Sequence, residues 1–506
     1  LWGLALGSDL LAQSLHWIFL PISMGLLWTF YYRFLARPDQ PRNAASLLAP
    51  AILATTPCVA IVASWPFNDL AVLAFFLALI YAVTGYLVEG RRGWLWLAGI
   101  VGGFALGTKY TQVLFVFIAG LIVFLATLLK KENSLSQRFS SGLRDALLLG
   151  LIAVVIGCPW YVKNLIHTGN PVYPLAYNVL GGNDWSNENA QFYADKAAEK
   201  GIHTDPETGR LRAGKATSLP DRLALAWRFT FEWPLFEGHI PGFVYVFLLP
   251  LIAAYSLCLI GRGVRDRLQR GTISPRNAAL LVILIFAWAY AIFWALSYQS
   301  NRFLMPSFAL LGLLSAAMCA DIRGRWPFAA QTLVVLILVA CLYGATWIGR
   351  WLIFESPQSP LSPALGFVQR DIYLGRALNY YPAAVWLNET AHGSETVLMV
   401  GEHRGYYFDV PYLLSDWYDT PRILALLRET PDNDALFKRL YNEEGVRYVF
   451  FNGAELSLYF DDYFQPRFSA EEFRRFKEFI ADRRLEQVRT FGDPRIYVAR
   501  LLPPGT

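Results

Sequence analysis

Ala279 to Leu296 and Thr332 to Ile348 contain no charged side chain, and each approaches the length at which an α-helix crosses about 30 Å of hydrocarbon. Runs of this kind recur along the chain, so its first constraint is a lipid environment. Composition agrees: 55% of the 506 residues are hydrophobic, 16% are charged and the mean hydropathy is +0.34, where a soluble globular chain carries about 25% charge. Apolar windows predict spans near 10–32, 44–65, 69–89, 93–107, 110–129, 145–163, 242–260, 277–297, 303–320 and 327–349. The predicted fold class is an α-helical polytopic membrane protein of about ten spans, residues 1–350, followed by a soluble α/β domain over 351–506.

Loop charge orients these spans. Arg33, Arg37 and Arg42 fill the first loop, Arg91 and Arg92 the third, and Lys130, Lys131, Arg138 and Arg144 the fifth. Arg262, Arg265, Arg267, Arg270 and Arg276 follow in the seventh, with Arg323 and Arg325 in the ninth. The intervening short turns hold little cationic charge beyond Lys109 and Arg302. The positive-inside rule therefore puts the odd loops in the cytoplasm and predicts a multi-pass protein of the inner (plasma) membrane with its C-terminal domain outside. The net charge of +5 is explained by this asymmetry, and no nucleic-acid partner is expected. Because both ends then lie outside, the rule predicts a further span and an outer loop before Leu1.

Cys58, Cys158, Cys258, Cys319 and Cys341 show no metal-type spacing and read as small apolar residues. Gly99, Gly103 and Gly107 recur every four residues, which predicts close helix packing. Two outer segments are large: a polar loop over 161–241, and the C-terminal domain, with strands at Thr396 to Val400, Val446 to Phe451 and Arg495 to Leu501 and a helix at Ala470 to Arg484.

Polar groups at membrane depth cost about 2.5–3.5 kcal/mol each, so those present need a partner or a task. Here they gather at one boundary: Asp9, Asn68-Asp69, Thr108-Lys109-Tyr110, Lys163, His167, Glu232, Glu237, His239, Tyr298, Gln299, Asn301 and Arg302. Together they predict a wet outer rim able to handle an anionic, lipid-borne substrate, although any one of them also reads as an interfacial anchor. Asp69 opens a helix, where a carboxylate is favoured by the helix dipole, and it could equally orient an acceptor, help hold a divalent cation or assist a general base. Arg302 stands against the positive-inside trend, and a guanidinium there can grip phosphate with two parallel hydrogen bonds. Lys109 offers the same charge with less geometry. His239, near Glu237 and Glu232, suits a metal ion or a solvated turn. Glu402, His403 and Arg404 read as a solvated turn or as an acceptor contact, and Asn388-Glu-Thr390 fits a glycosylation sequon. No Walker A, dinucleotide fingerprint or nucleophile elbow is present.

Pro57 to Tyr81, Gly99 to Tyr110, Thr168-Gly-Asn-Pro-Val-Tyr-Pro174 and Asn301-Arg-Phe-Leu-Met-Pro306 resemble multi-spanning GT-C glycosyltransferases, nearest the bacterial protein-mannosyltransferase-like, aminoarabinose-transferase-like and Rgt-like branch. The resemblance covers most of residues 1–350. It implies a hexosyl or pentosyl transferase that moves a sugar from a polyprenyl-phosphate carrier to a lipid, glycan or protein acceptor on the outer face, with inversion. It implies Asp69 as an acidic site residue, Arg302, Lys109 and Tyr110 at the donor phosphate, and a divalent metal ion, with His239 as its ligand, as the one cofactor to consider. The principal carboxylate of the family is expected before Leu1. The alternative is a transporter or flippase of a lipid-linked glycan, which would favour related halves and interrupted helices at the midplane.

Overall fold

The computed structural model describes residues 7–37, 44–130, 134–183, 185–199, 202–204, 211–213, 218–236, 240–354, 359 and 361–504. Two compact units emerge, one of Leu1–Asp184 with Ala194–Trp351, the other of Trp185–Tyr193 with Leu352–Thr506.

The first unit is a helical bundle. In chain order its principal helices are α1 (Asp9–Phe30), α2 (Leu48–Ala54), α3 (Pro57–Ala63), α4 (Asp69–Glu89), α5 (Gly93–Thr108), α6 (Gln112–Leu128), α7 (Leu135–Thr168), α8 (Leu219–Phe231), α9 (Val244–Arg270), α10 (Pro275–Leu296), α11 (Met305–Arg323) and α12 (Pro327–Phe354). Among the described residues seven helices are long and apolar enough to cross a membrane, so the chain is a multi-pass membrane protein. The second expected span is broken: α2 and α3 meet at a 62° bend. Pro57 supplies no N–H and drives Thr56 to an extended ψ of 111°, while Thr55 and Thr56 return their hydroxyls to the carbonyls of Ala51 and Ile52 at 2.7 Å each. The fourth and fifth expected spans, α5 and α6, are shorter, at 16 and 17 residues, or about 25 Å of rise.

Burial is uneven among these helices. In the stretch containing α11, 94% of the apolar window is buried, and in α4 72%, against 22% in α7 and 28% in α12. Thus α4 and α11 form the centre while α7 and α12 keep apolar faces outward, as a lipid solvent permits. The predicted small-residue contact joins α5 to α7. A Cβ on Gly99 would lie 2.6 Å from Ile152 Cβ and one on Gly103 2.4 Å from Ile156 Cβ, whereas Gly107 faces open space. Gly157 on α7 completes the contact against Leu106 in its place.

At one end of the bundle Asp321 gathers cations from separate loops: Arg276 Nη2 at 2.8 Å, Arg37 Nη1 at 3.8 Å and Arg262, with Tyr255 donating its hydroxyl at 2.8 Å. The cysteines are free, and Cys58, Cys319 and Cys341 are buried among apolar side chains, while Cys258 is exposed on the bundle surface.

The second unit holds a five-stranded sheet of β1 (Thr396–Val400), β2 (Tyr412–Leu413), β3 (Val446–Asn452), β4 (Leu485–Phe491) and β5 (Asp493–Leu501) in the order β2-β1-β3-β5-β4. The β2/β1/β3 ladders are parallel and β5 pairs antiparallel to both β3 and β4. Every residue of β1 is buried, because apolar clusters cover both faces of the sheet. Here β4, the outer strand of a hairpin turned at Gly492 (φ +70°), carries too much exposed surface to show an apolar run in sequence. The segment Trp185–Tyr193 packs with this unit because Glu188 reaches Arg428 at 3.0 Å and Arg467 at 3.3 Å.

Candidate functional site at one rim of the bundle

Three turns distant in sequence meet at the end of the bundle opposite Asp321. Helix α5 stops at Thr108 because Lys109 turns extended (φ −158°, ψ 133°), which swings its side chain back across the start of α4. Lys109 Nζ then lies 2.9 Å from Asp69 Oδ1, and Asn68 ties the same turn by donating to the Thr108 carbonyl at 2.9 Å. Asp69 is 7% exposed at its side chain and Lys109 25%, so the carboxylate is buried while the ammonium keeps part of its contact with solvent.

The third turn brings Phe303 beneath both cations. Lys109 Nζ sits 3.6 Å from its ring centroid and Arg302 Cζ 4.9 Å, with Arg302 also 4.8 Å from the Phe67 ring. Both cations thus lie within cation–π distance of one ring, with Asp69 bracing Lys109. The turn that presents Arg302 is rigidly held: the Trp294 indole donates to the Ser300 carbonyl at 2.8 Å and Asn301 Nδ2 to the Phe229 carbonyl at 3.1 Å.

Asp69, Lys109 and Arg302 are therefore brought together. Tyr110 is placed beside them but its hydroxyl is engaged, donating to the Tyr173 carbonyl at 2.9 Å and meeting Asn164 Nδ2 at 2.6 Å, so it pins the turn that follows α7. Lys163 lies over Trp160 at 4.5 Å, an anchor-like contact. His239 and Glu237 lie outside the described residues, and among those described no three His, Cys, Asp or Glu side chains group to hold a metal ion.

Sequence reasoning missed His16. This buried residue of α1 accepts the Leu70 N–H on Nε2 at 3.0 Å, capping one of the free amides at the start of α4 and so holding Asp69 in place. A lone histidine in an otherwise apolar span was the available signal. It also missed Gln112, fully buried, with the Tyr290 hydroxyl as its polar neighbour.

The first unit is thus a multi-pass membrane bundle that brings Asp69, Lys109 and Arg302 around Phe303 at one rim. The chain belongs to the family described as Domain of unknown function (DUF8201), which it matches over residues 14–309. Among solved structures it is similar to the crystal structure of ArnT from Cupriavidus metallidurans in the apo state, with 14% identity, a TM-score of 0.49, and coverage of 97% of this chain and 83% of that one. No curated protein matches it.

Proposed function

We propose that this protein is a membrane glycosyltransferase of GT-C type, moving a sugar from a polyprenyl-phosphate carrier to an acceptor on the extracytoplasmic face with inversion. The observation that carries the reading is the convergence of Lys109 and Arg302 on Phe303, with Asp69 bracing Lys109. In the proposed step an acceptor hydroxyl oxygen attacks the anomeric carbon as the bond from that carbon to the phosphate oxygen breaks. Negative charge then builds on the departing lipid phosphate, where Arg302 and Lys109 stabilise it; a phosphate leaving group needs little acid assistance. Asp69 commits Oδ1 to Lys109, and its Oδ2, which makes no hydrogen bond among the described residues, is assigned to orient or accept the acceptor proton.

The test supplies membranes containing the full-length protein with radiolabelled polyprenyl-phosphate sugars. Transfer is expected to fall about a hundredfold or more in Arg302→Ala, the usual consequence of deleting one transition-state donor. Undiminished transfer would remove Arg302 from the site, and a lipid-linked sugar that crosses the bilayer without being transferred would favour the flippase.

A further inference from the structure

A long apolar groove runs between α6 and α7 and encloses about 1070 Å³, the upper end of the roughly 300–1,000 Å³ of ordinary ligand pockets. Its wall on α7 follows helical spacing from Arg144 through Leu147, Leu151 and Val154 to Tyr161, a rise of about 25 Å. Glycine keeps it open: a Cβ on Gly150 would meet nothing within 4 Å, and one on Gly120 only the Ala146 carbonyl at 3.9 Å. Leu147, Leu151 and Val154 are exposed, as is Phe117 on α6, so in a bilayer this surface meets acyl chains. Spread over its length, the volume gives a mean cross-section of about 40 Å², under half that of a helix about 10–12 Å across. An extended hydrocarbon chain fits within the groove and a helix is too thick for it.

The two ends of the groove differ in charge. Toward the Asp69 rim Tyr161 bounds it, donating its hydroxyl to the Leu106 carbonyl at 3.2 Å with its ring 5.7 Å from that of Tyr110. At the opposite end stands Arg144, the one charged residue of the lining among the described residues. Its side chain is 58% exposed, with Nε and Nη2 each 3.1 Å from Asp145 Oδ1, and Nη1 makes no hydrogen bond among the described residues. Tyr86 donates its hydroxyl to Asp145 Oδ2 at 2.6 Å, and Lys130 Nζ lies 5.9 Å from the Tyr86 ring. Arg138 fixes Lys130 there by donating to the Leu128 and Lys130 carbonyls at 3.1 and 2.7 Å. Lys130 and Arg144 thus flank one buried carboxylate at the mouth of a lipid-facing groove. A guanidinium and an ammonium so placed suit a phosphodiester, and basic sites at the ends of membrane helices attract anionic headgroups.

We propose that the α6–α7 groove binds an anionic glycerophospholipid, with an acyl chain lying along Gly150 and Gly120 and the phosphate at Arg144 and Lys130. The lipid belongs to the leaflet opposite the Asp69 rim, the cytoplasmic one by the distribution of loop charge. The site stands on the bundle alone and is independent of the transferase reading.

The test follows binding of phosphatidylglycerol and phosphatidylcholine with identical acyl chains to the full-length chain in mild detergent, by native mass spectrometry. Phosphatidylglycerol is expected to bind at least about tenfold more tightly, the effect of one or two cations near its phosphate. Arg144→Gln should abolish that preference. Because Arg144 also braces Asp145, Lys130→Gln serves as a second charge variant and should lose part of it, and thermal melting verifies that each variant is folded. Gly150→Trp, which adds bulk where its Cβ has open space, should weaken both lipids about tenfold. The site is overturned if wild type binds the two lipids equally, or if Gly150→Trp binds phosphatidylglycerol as wild type does. Added polyprenyl phosphate should leave the phosphatidylglycerol bound; its displacement would give the groove to the carrier chain and overturn the assignment.

Discussion

Asp69 and Lys109 are separated by 40 residues yet joined at 2.9 Å, and a pair so placed can serve either the fold or a phosphate. The two roles separate by substitution. Asp69→Ala leaves an ammonium beside Phe303, and because Lys109 keeps a quarter of its surface exposed, the stability loss should be modest, about 1–2 kcal/mol. The double variant Asp69→Asn with Lys109→Gln removes both charges and should unfold near the wild-type temperature in detergent, while transfer from a polyprenyl-phosphate sugar is lost. Transfer preserved in that double variant would assign the pair to folding alone. His16 acts through the same helix start: His16→Leu removes the acceptor of the Leu70 N–H and should lower transfer while leaving donor binding by Arg302 in place, so kcat falls with KM little changed.

Between helices, glycine positions report how closely backbones approach. Substituting Gly103 by Leu puts a side chain where Ile156 Cβ and the Ala153 carbonyl already stand, at 2.4 and 2.8 Å from the new Cβ. Overpacking of this kind costs about 1–3 kcal/mol, so the thermal transition of Gly103→Leu should fall by several degrees. Gly107→Ala, with open space at its Cβ, should unfold as wild type does. Equal behaviour of the two variants would show that the α5–α7 contact is looser than this packing. All three glycines of the four-residue pattern looked alike in sequence, and Gly157 belonged to no visible pattern; contact depends on where the neighbouring helix crosses, which a single helix does not encode. The bend between α2 and α3 was legible only in part, since Thr56-Pro57 marks a break but not its 62° angle.

At the scale of the molecule, charge decides orientation. Helix α7 has 34 residues and rises about 50 Å, so its two ends lie on opposite sides of any bilayer it crosses. With the native cysteines replaced, Ser136→Cys near its start and Asn183→Cys beyond its end should be labelled by an impermeant maleimide from opposite sides of sealed vesicles. Labelling of both from one side would refute the spanning assignment of α7. At the opposite end from the Asp69 rim, Asp321 is 8% exposed and holds three arginines. Asp321→Asn should lower stability by about 3 kcal/mol, read as a drop in the detergent unfolding temperature, because it leaves those guanidinium groups facing one another.

The residues alone determined that this chain lives in a bilayer, roughly where its helices start and stop, and that its polar groups collect near turns, since each follows from local hydrophobicity and charge. They could not rank the helices: the stretches containing α11 and α12 have mean hydropathies of 1.9 and 2.2, yet 94% of the first is buried and 28% of the second. Lipid and protein interior are equally apolar, so composition does not distinguish a helix facing one from a helix facing the other. Only tertiary packing chose between them, and only packing set Lys109 and Arg302 over one ring and drew Glu402 out of water, because those contacts join segments whose separation no local pattern records.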